Sequence, residues 1–174
     1  LKFMRQQALI AIDHAQVVIL VTDLRTGVTA ADQEVAAMLK KAKKPVVVAV
    51  NKMDAPGQPP AEFYEFYNLG LGDPVGISAL HGNGTGDLLD ACFDLLPQDA
   101  WEGETQDEGI RVAVIGKPNA GKSSLVNRVT GEERVIVSNV PGTTRDSIDS
   151  LVLRGEDRFT FIDTAGIRRK SRVD

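Results

Sequence analysis

Gly116-Lys117-Pro118-Asn119-Ala120-Gly121-Lys122-Ser123 decides the fold. The stretch follows an apolar run, Ile110-Arg-Val-Ala-Val-Ile115, and precedes the helix-like Ser124-Leu-Val-Asn-Arg-Val129. Strand, glycine loop and helix in that order form the setting in which G-x-x-x-x-G-K-[ST] holds a phosphate chain. The glycines let backbone amides curl around an anion, at a helix N-terminus whose dipole favours negative charge. Lys122 then brings a mobile positive charge to the outer phosphates, and the Ser123 hydroxyl is a magnesium ligand. A glycine turn of purely structural use is the plain alternative, and a motif this complete in this frame weighs against it. The expected fold is α/β, a P-loop NTPase with a mostly parallel sheet and flanking helices.

Which base accompanies the phosphates is read from Asn51-Lys52-Met53-Asp54, which follows Pro45-Val-Val-Val-Ala-Val50. A carboxylate at a strand's C-terminal end can accept hydrogen bonds from the ring imino and exocyclic amino groups of guanine, a pair of donors that adenine lacks at that edge. Lys52 can lay its alkyl stem across the base, and Asn51 can tie this loop to the phosphate loop. Alone, N-K-x-D is a short string that an ordinary strand-to-loop turn could carry. It is joined by Gly76-Ile77-Ser78-Ala79-Leu80, where the Ala79 amide could meet the guanine carbonyl, and by Asp163-Thr164-Ala165-Gly166 after a further strand. Asp163 could hold magnesium through water, and Gly166 could offer its amide to a γ-phosphate. Together the four stretches point to a guanine nucleotide, GTP or GDP, with Mg2+.

Composition bounds the remainder. The chain has 174 residues, a net charge of −4 and a quarter of its residues charged, as in ordinary water-soluble domains with room for a substantial core. The acidic balance argues against a nucleic-acid binder over the whole surface, so any RNA contact must be local. No apolar run is long enough to cross a bilayer and Leu1 to Phe3 have no signal-peptide pattern, so no membrane partner is expected. Cys92 is the only cysteine; an internal disulfide is impossible, and the expectation is a reducing, cytoplasmic setting. Between Leu89 and Phe93 on a helical pattern, Cys92 reads as a small core side chain and not a nucleophile.

In chain order, Lys2 to Ile12 shows helical spacing with Met4, Ala8, Leu9 and Ile12 on one face. Gln16-Val-Val-Ile-Leu-Val-Thr22 reads as a strand buried on both faces of a parallel sheet, with Asp23 at its end as a solvated loop charge beside Arg25. Thr29 and Asp32 resemble a capping box opening a helix whose buried stripe is Val35, Met38, Leu39 and Ala42. Lys40, Lys41, Lys43 and Lys44 crowd the end of that helix and suit its dipole, a nucleic-acid patch being the lesser reading. A short helix covers 61–69, its aromatics Phe63, Tyr64, Phe66 and Tyr67 read as packing. Thr85 reads as the cap of a helix lined by Leu88, Leu89, Cys92, Phe93 and Leu96. His81 and His14 lack metal-ligand spacing and read as loop residues. From 97 to 109 acidic residues replace aliphatic ones, a linker. Further on, Arg154-Gly-Glu-Asp157 turns a hairpin into Phe159-Thr-Phe-Ile162.

At Gly116 to Ser123, Pro141 to Asp146, Asp163 to Ile167 and Asn51 to Asp54 the chain resembles bacterial translation-factor-class GTPases. The nearest resemblance is to the family with two GTPase domains in tandem that assists assembly of the large ribosomal subunit, known as Der or EngA. G-K-P-N-A-G-K-S-S-L, P-G-T-T-R-D and D-T-A-G-I-R-R-K look like that family's second domain, and residues 1–96 look like the latter half of its first. The resemblance implies two half-domains, 1–96 with the base-recognition motifs and 110–174 with the P-loop, switch I and magnesium motif, on either side of the 97–109 linker. The motif order, base recognition first and phosphate binding second, departs from that of a conventional GTPase domain. Matched to the family, the chain reads as a piece cut out of phase with the repeat. The alternatives are a circularly permuted GTPase with one composite site, and a non-hydrolysing interaction module.

The resemblance also implies hydrolysis of GTP, ribosomal large-subunit or RNA partners, and residue roles. Lys122 would neutralise phosphate charge. Thr144, or its neighbour Thr143, would be the switch threonine reaching magnesium with Ser123 and Asp163. Asn119 would help bind a potassium ion, the plain alternative being a loop cap. Thr164, Ala165, Gly166 and Ile167 complete the magnesium motif. Ile167 stands where many GTPases place a water-orienting glutamine, and an aliphatic side chain cannot hydrogen-bond a water. Arg168, Arg169, Lys170 and Arg172 could touch ribosomal RNA or form a solvated basic loop.

Overall fold

The computed structural model describes residues 2–96, 109–132, 134–136 and 150–162. The Val-Val-Ile-Leu-Val-Thr-Asp run forms strand β1 (Val17–Asp23), buried at every position. A strand that is apolar without alternation must be covered on both faces, and β1 lies in the interior of a seven-stranded sheet ordered β3-β2-β1-β4-β7-β6-β5. Here β2 is Val46–Asn51, β3 Val75–Gly76, β4 Ile110–Ile115, β5 Arg134–Ile136, β6 Ser150–Arg154 and β7 Asp157–Phe161.

The pairings of β1 with β2, β1 with β4, β2 with β3 and β4 with β7 are parallel. The pairings of β6 with β7 and with β5 are antiparallel, so β6 alone runs against the other strands, and the expected hairpin between β6 and β7 sets Arg154 opposite Asp157. Residues on either side of the acidic 97–109 stretch therefore share one sheet, joined at β1 and β4 with Val17 opposite Val112 and Leu20 opposite Ile115.

Helices cover both faces. On one lie α1 (Lys2–His14), α2 (Ala30–Ala42) and a 3-10 helix (Ala61–Leu69), which seat Ile12, Ala36, Leu39, Phe63 and Phe66 against Val18, Leu20, Val48 and Val50. On the other, α3 (Thr85–Asp94) and α4 (Lys122–Glu132) bring Leu88, Leu89 and Cys92 together with Leu125, Val126 and Val129 over Ile19, Val112, Phe159 and Phe161. At about 1.5–3 kcal/mol for each large apolar side chain withdrawn from water, this layer is the main attraction between the two parts of the chain. The side chains of Arg154 on β6 and Asp90 on α3 add an ion pair across the same face.

Local chemistry explains most element ends. Thr29 and Asp32 form the expected capping box: Thr29 Oγ1 accepts from the Asp32 amide at 3.3 Å while the Thr29 amide donates to Asp32 Oδ2 at 3.0 Å. Lys43 ends α2 in the left-handed region at φ 54°. Lys44 serves a different helix from the one expected, because its ammonium donates to the Asp13 and Ala15 carbonyls at the end of α1.

Four expectations are corrected. Thr85 is not a cap: it is the first residue of α3 behind a left-handed Gly84, and its hydroxyl donates to the Gly82 carbonyl at 3.0 Å. Leu9 is exposed, since the buried face of α1 runs through Ile12 with Ala8 and Ala11 beside it. Ala42, expected in the α2 stripe, is exposed, the helix burying Ala36 and Leu39 in its stead. Of the four aromatics in the 3-10 helix, Phe63 and Phe66 are core, whereas Tyr64 and Tyr67 stack on each other in the open at 6.2 Å. Among the described residues no helix is long and apolar enough to cross a membrane.

Candidate functional site

Because β3, β2, β1, β4 and β7 are mutually parallel, their C-terminal ends share one edge, where the loops that follow β1, β2, β3 and β4 meet. From β1 the chain winds toward β3 over one face, while β4 and its helix α4 lead toward β7 over the other. The change of direction between β1 and β4 opens the crevice in which α/β sheets bind ligands. Gly116 to Ser123 lies at that crevice.

The loop between β4 and α4 has positive φ at Gly116 (156°), Asn119 (65°) and Gly121 (106°), the kind of backbone that turns successive amides toward a common centre. Pro118 and Asn119 are exposed and Ala120 is buried. Lys122 Nζ donates back to the Gly116 carbonyl at 2.7 Å and the Lys117 carbonyl at 2.8 Å, which draws the ammonium across the loop. Ser123 follows within the first turn of α4.

Asn51, the last residue of β2 and buried, joins three loops. Its Nδ2 donates to the Ala120 carbonyl in the 116–123 loop at 2.9 Å, and its Oδ1 accepts from the Ala79 amide at 3.0 Å. The amide lies so close to Gly121 that a Cβ there would overlap Nδ2, so this glycine is required by contact as well as by φ. The Ala79 amide, expected to face a base carbonyl, is thus engaged by Asn51.

Beyond Asn51 the chain turns through Lys52 at φ 70°, and Lys52 Nζ donates to Asp23 Oδ2 at 2.6 Å. Asp23 is not the solvated loop charge expected. It is 4% exposed, stands opposite Asn51 in register, and also accepts from the Arg25 amide at 2.8 Å. Burial by itself pushes this carboxyl up. The Lys52 hydrogen bond, the Arg25 amide and the charges of Lys52 and Lys117 outweigh that and hold it below the usual 3.8.

Met53 donates its amide to the Ile77 carbonyl at 3.0 Å, and its thioether occupies the space that a side chain on Gly76 would need. Asp54 is held by two neighbours: Ser78 Oγ donates to Oδ1 at 2.6 Å, and the exposed Arg25 guanidinium donates to Oδ2 at 3.0 Å. Leu80 is exposed, and its carbonyl and that of Ala79 accept from Arg128 on α4. Lys117 reaches across the join, donating to Thr26 Oγ1 at 2.6 Å and to the buried Asp32 at 3.4 Å.

Asn51, Lys52, Met53, Asp54, Ser78, Ala79 and Leu80 thus stand beside Gly116 to Ser123 at one edge. Thr143, Thr144, Asp163, Thr164, Ala165, Gly166, Ile167 and the basic 168–172 stretch lie outside the described residues. Within the described residues β7 runs beside β4, and the Ile162 amide donates to the Val112 carbonyl at 3.0 Å. A serine hydroxyl, a threonine hydroxyl and an aspartate carboxylate are by type the hard oxygen donors that magnesium takes; of the three expected, Ser123 alone lies within the described residues. Sequence reading passed over Asp23, Thr26, Asp32 and Arg128 as contributors to this edge. For Asp23 the signal was available: an acidic residue closing a strand too apolar to face water sits where the other motif strands end.

Two family models match the chain. One, described as the elongation factor Tu GTP binding domain, covers residues 5–98, more than half of it, and one described as a 50S ribosome-binding GTPase covers 111–174. The chain belongs to the GTP-binding-domain family. It is similar along nearly all its length to proteins named GTPase Der: 57% identical over 171 residues to that of Acetivibrio thermocellus and 59% over 172 residues to that of Clostridium perfringens. These alignments take in 98% and 99% of the chain but 39% of each relative, so the chain spans about two-fifths of the curated relatives it matches. Among solved structures, YjeQ from Thermotoga maritima superposes with a TM-score of 0.51 at 19% identity over 88% of this chain and 50% of that one, a likeness of fold.

Proposed function

We propose that the chain binds a guanine nucleotide at this edge and, with the rest of the machinery that the longer relatives carry, hydrolyses GTP to GDP and phosphate in assembly of the large ribosomal subunit. The observation that carries the nucleotide reading is the Asn51 bridge: one buried amide ties the phosphate loop at Ala120 to the loops bearing Asp54 and Ala79. A phosphate grip and a purine-reading carboxylate held by one side chain are what a bound nucleoside triphosphate requires at its two ends.

In this reading Asp54 reads the guanine edge and Ser78 orients it, while Lys52 covers the base. Lys122 sits over the P-loop to meet the β- and γ-phosphates, and hydrolysis is in-line attack of water helped by positioning and charge neutralisation. Ser123, Thr144 and Asp163 would hold magnesium, which when bound supplies positive charge to the phosphate oxygens. Asn119, exposed at the outer turn of the loop, is assigned to a potassium ion by resemblance. Ile167 leaves water orientation to groups other than a side-chain amide. Large-subunit RNA is the partner class for the basic 168–172 stretch, and the cytoplasm the setting. The division into 1–96 and 110–174 around the linker belongs to the same proposal.

A second reading concerns how many sites the chain uses. The shared β1–β4 pairing and the Asn51–Ala120 bond favour one composite site built from both parts of the 174-residue chain, the arrangement of a permuted GTPase. Titration of fluorescent mant-GDP into the purified chain tests both. Submicromolar binding displaced by GTP and not by ATP is expected. Weak binding, or ATP competing as an equal, refutes the composite site and the guanine assignment respectively.

A further inference from the structure

We infer that Asp23 is a positioning residue for nucleotide binding, fixing Lys52 as one wall of the purine slot. This deepens the proposal of the preceding section and rests on it. Neither the phosphate-loop motif nor the N-K-x-D motif includes Asp23, which reaches the site only because β1 lies between the strands that carry them.

The geometry is specific. Lys52 leaves β2 at φ 70°, a conformation that non-glycine residues rarely adopt, and this turns its side chain back toward β1. Its Nζ ends 2.6 Å from Asp23 Oδ2, so the four methylenes between Cα and the ammonium bridge the C-terminal ends of two neighbouring strands. Asp54, whose carboxylate reads the base, lies two residues further on. A lysine stem left free must be ordered when a base stacks on it, and that ordering is costly for a long flexible side chain. Tied at its far end before the nucleotide arrives, the stem is a preformed apolar bar.

The anchor is itself secured. Asp23 is buried, and its other oxygen accepts from the Arg25 amide at 2.8 Å, so the carboxylate cannot swing away with the lysine. Arg25 then reaches Asp54 with its side chain, so the anchor and the base-reading carboxylate are parts of one hydrogen-bonded circuit: Lys52, Asp23, Arg25 and Asp54. An alkyl wall does not distinguish purines from one another. Its loss lowers affinity for every purine nucleotide alike and leaves selectivity with Asp54.

The test uses the full 174-residue chain, with mant-GDP, mant-IDP and inorganic pyrophosphate as probes. Asp23→Asn keeps the shape and removes the charge that holds Lys52. It is expected to weaken mant-GDP and mant-IDP by the same factor, about tenfold, the equivalent of about 1.4 kcal/mol of side-chain ordering, while pyrophosphate competes as in wild type. In a Lys52→Met background the further change Asp23→Asn should have no added effect on affinity, since there is no ammonium left to hold. A purely structural role for Asp23 would weaken pyrophosphate binding together with mant-GDP, and would persist without the lysine. Should Asp23→Asn fail to fold, the double variant Asp23→Asn, Lys52→Met removes both charges of the pair at once, and it too is expected to bind mant-GDP about tenfold more weakly. Wild-type affinity in either variant overturns this inference alone. A wild-type chain with no guanine-selective binding overturns the function proposed above and this inference with it.

Discussion

Replacing Asn51 by alanine tests the join between the 116–123 loop and the loops bearing Asp54 and Ala79. The side chain is buried, and both of its polar atoms are used: Nδ2 at 2.9 Å from the Ala120 carbonyl and Oδ1 at 3.0 Å from the Ala79 amide. Truncation leaves a buried carbonyl and a buried N–H without those partners, at about 1–3 kcal/mol each, so the loss should fall near 2–6 kcal/mol. Against a whole-domain stability of about 5–15 kcal/mol, that is a large fraction. Asn51→Asp separates the two bonds, because a carboxylate still accepts from Ala79 but faces the Ala120 carbonyl with lone pairs on both sides. It should be at least as damaging as alanine at neutral pH. Urea unfolding followed by circular dichroism reads both variants, with the midpoint falling and the slope unchanged. A companion change sharpens the test: Gly121→Ala should cost less in the Asn51→Ala background than in wild type, since the overlap with Nδ2 is gone and only the strain of φ 106° is left. If Asn51→Ala shifts stability by less than about 0.5 kcal/mol, as an ordinary surface substitution would, the amide does not bridge these loops and the composite site fails.

Three further outcomes follow from other contacts. Lys117→Met removes the cation beside Asp32, a carboxylate buried so completely that its Oδ1 finds no hydrogen-bond partner among the described residues; a loss of about 1.5–3 kcal/mol in urea unfolding is expected, and Asp32→Asn in the Lys117→Met background should recover part of it. Asp23 has its pKa lowered on folding, so it contributes stability that is complete above the unfolded value of about 3.9 and disappears as pH falls through the lower folded value. Unfolding measured from pH 7 down to pH 2.5 should show that acid limb in wild type and a flatter one in Asp23→Asn. Burial pushes the Cys92 thiol up to about 12, which keeps it protonated at pH 8, so Ellman's reagent should react with the native chain only at the rate of unfolding and at once in 6 M guanidinium.

Much of the fold could be read from the chain because its strands carry an unambiguous signal. Val17–Asp23 and Val46–Asn51 are apolar without alternation, a pattern that only the middle of a covered parallel sheet accommodates. The capping box at Thr29 and the hairpin at Gly155 were legible for the same reason: each depends on chemistry within a few residues. What sequence reading missed depends on distance through space. Tyr64 and Tyr67 share the aromatic spacing of Phe63 and Phe66, and only the placement of α2 and the sheet decides which pair is buried. Lys44 stands in sequence among the lysines at the end of α2, yet it satisfies carbonyls at the end of α1, about thirty residues away.

The motif order, which set this chain apart from a conventional GTPase domain, loses its force once the sheet is known. A nucleotide site at the C-terminal edge of parallel strands depends on which strands are neighbours, not on which comes first. Asn51 follows β2, Asp23 ends β1 and Gly116 follows β4; the spatial order β2-β1-β4 puts the three side by side whichever way the polypeptide links them. The link between α3 and β4, acidic and almost without aliphatic residues, has only to reach from one to the other. A longer relative could supply each part with a different partner half and use the same edge chemistry twice. What distinguishes the composite arrangement is a set of contacts that no single half can make alone: Asn51 to Ala120, Lys117 to Thr26 and Asp32, and Arg154 to Asp90. Those of Asn51 and Lys117 lie at the crevice and that of Arg154 on the face covered by α3 and α4, so the two parts of the chain are held at more than one place. Disrupting the crevice pair at Asn51 should therefore lower nucleotide affinity and stability together, while weakening the apolar layer around Phe159 should lower stability with less effect on affinity.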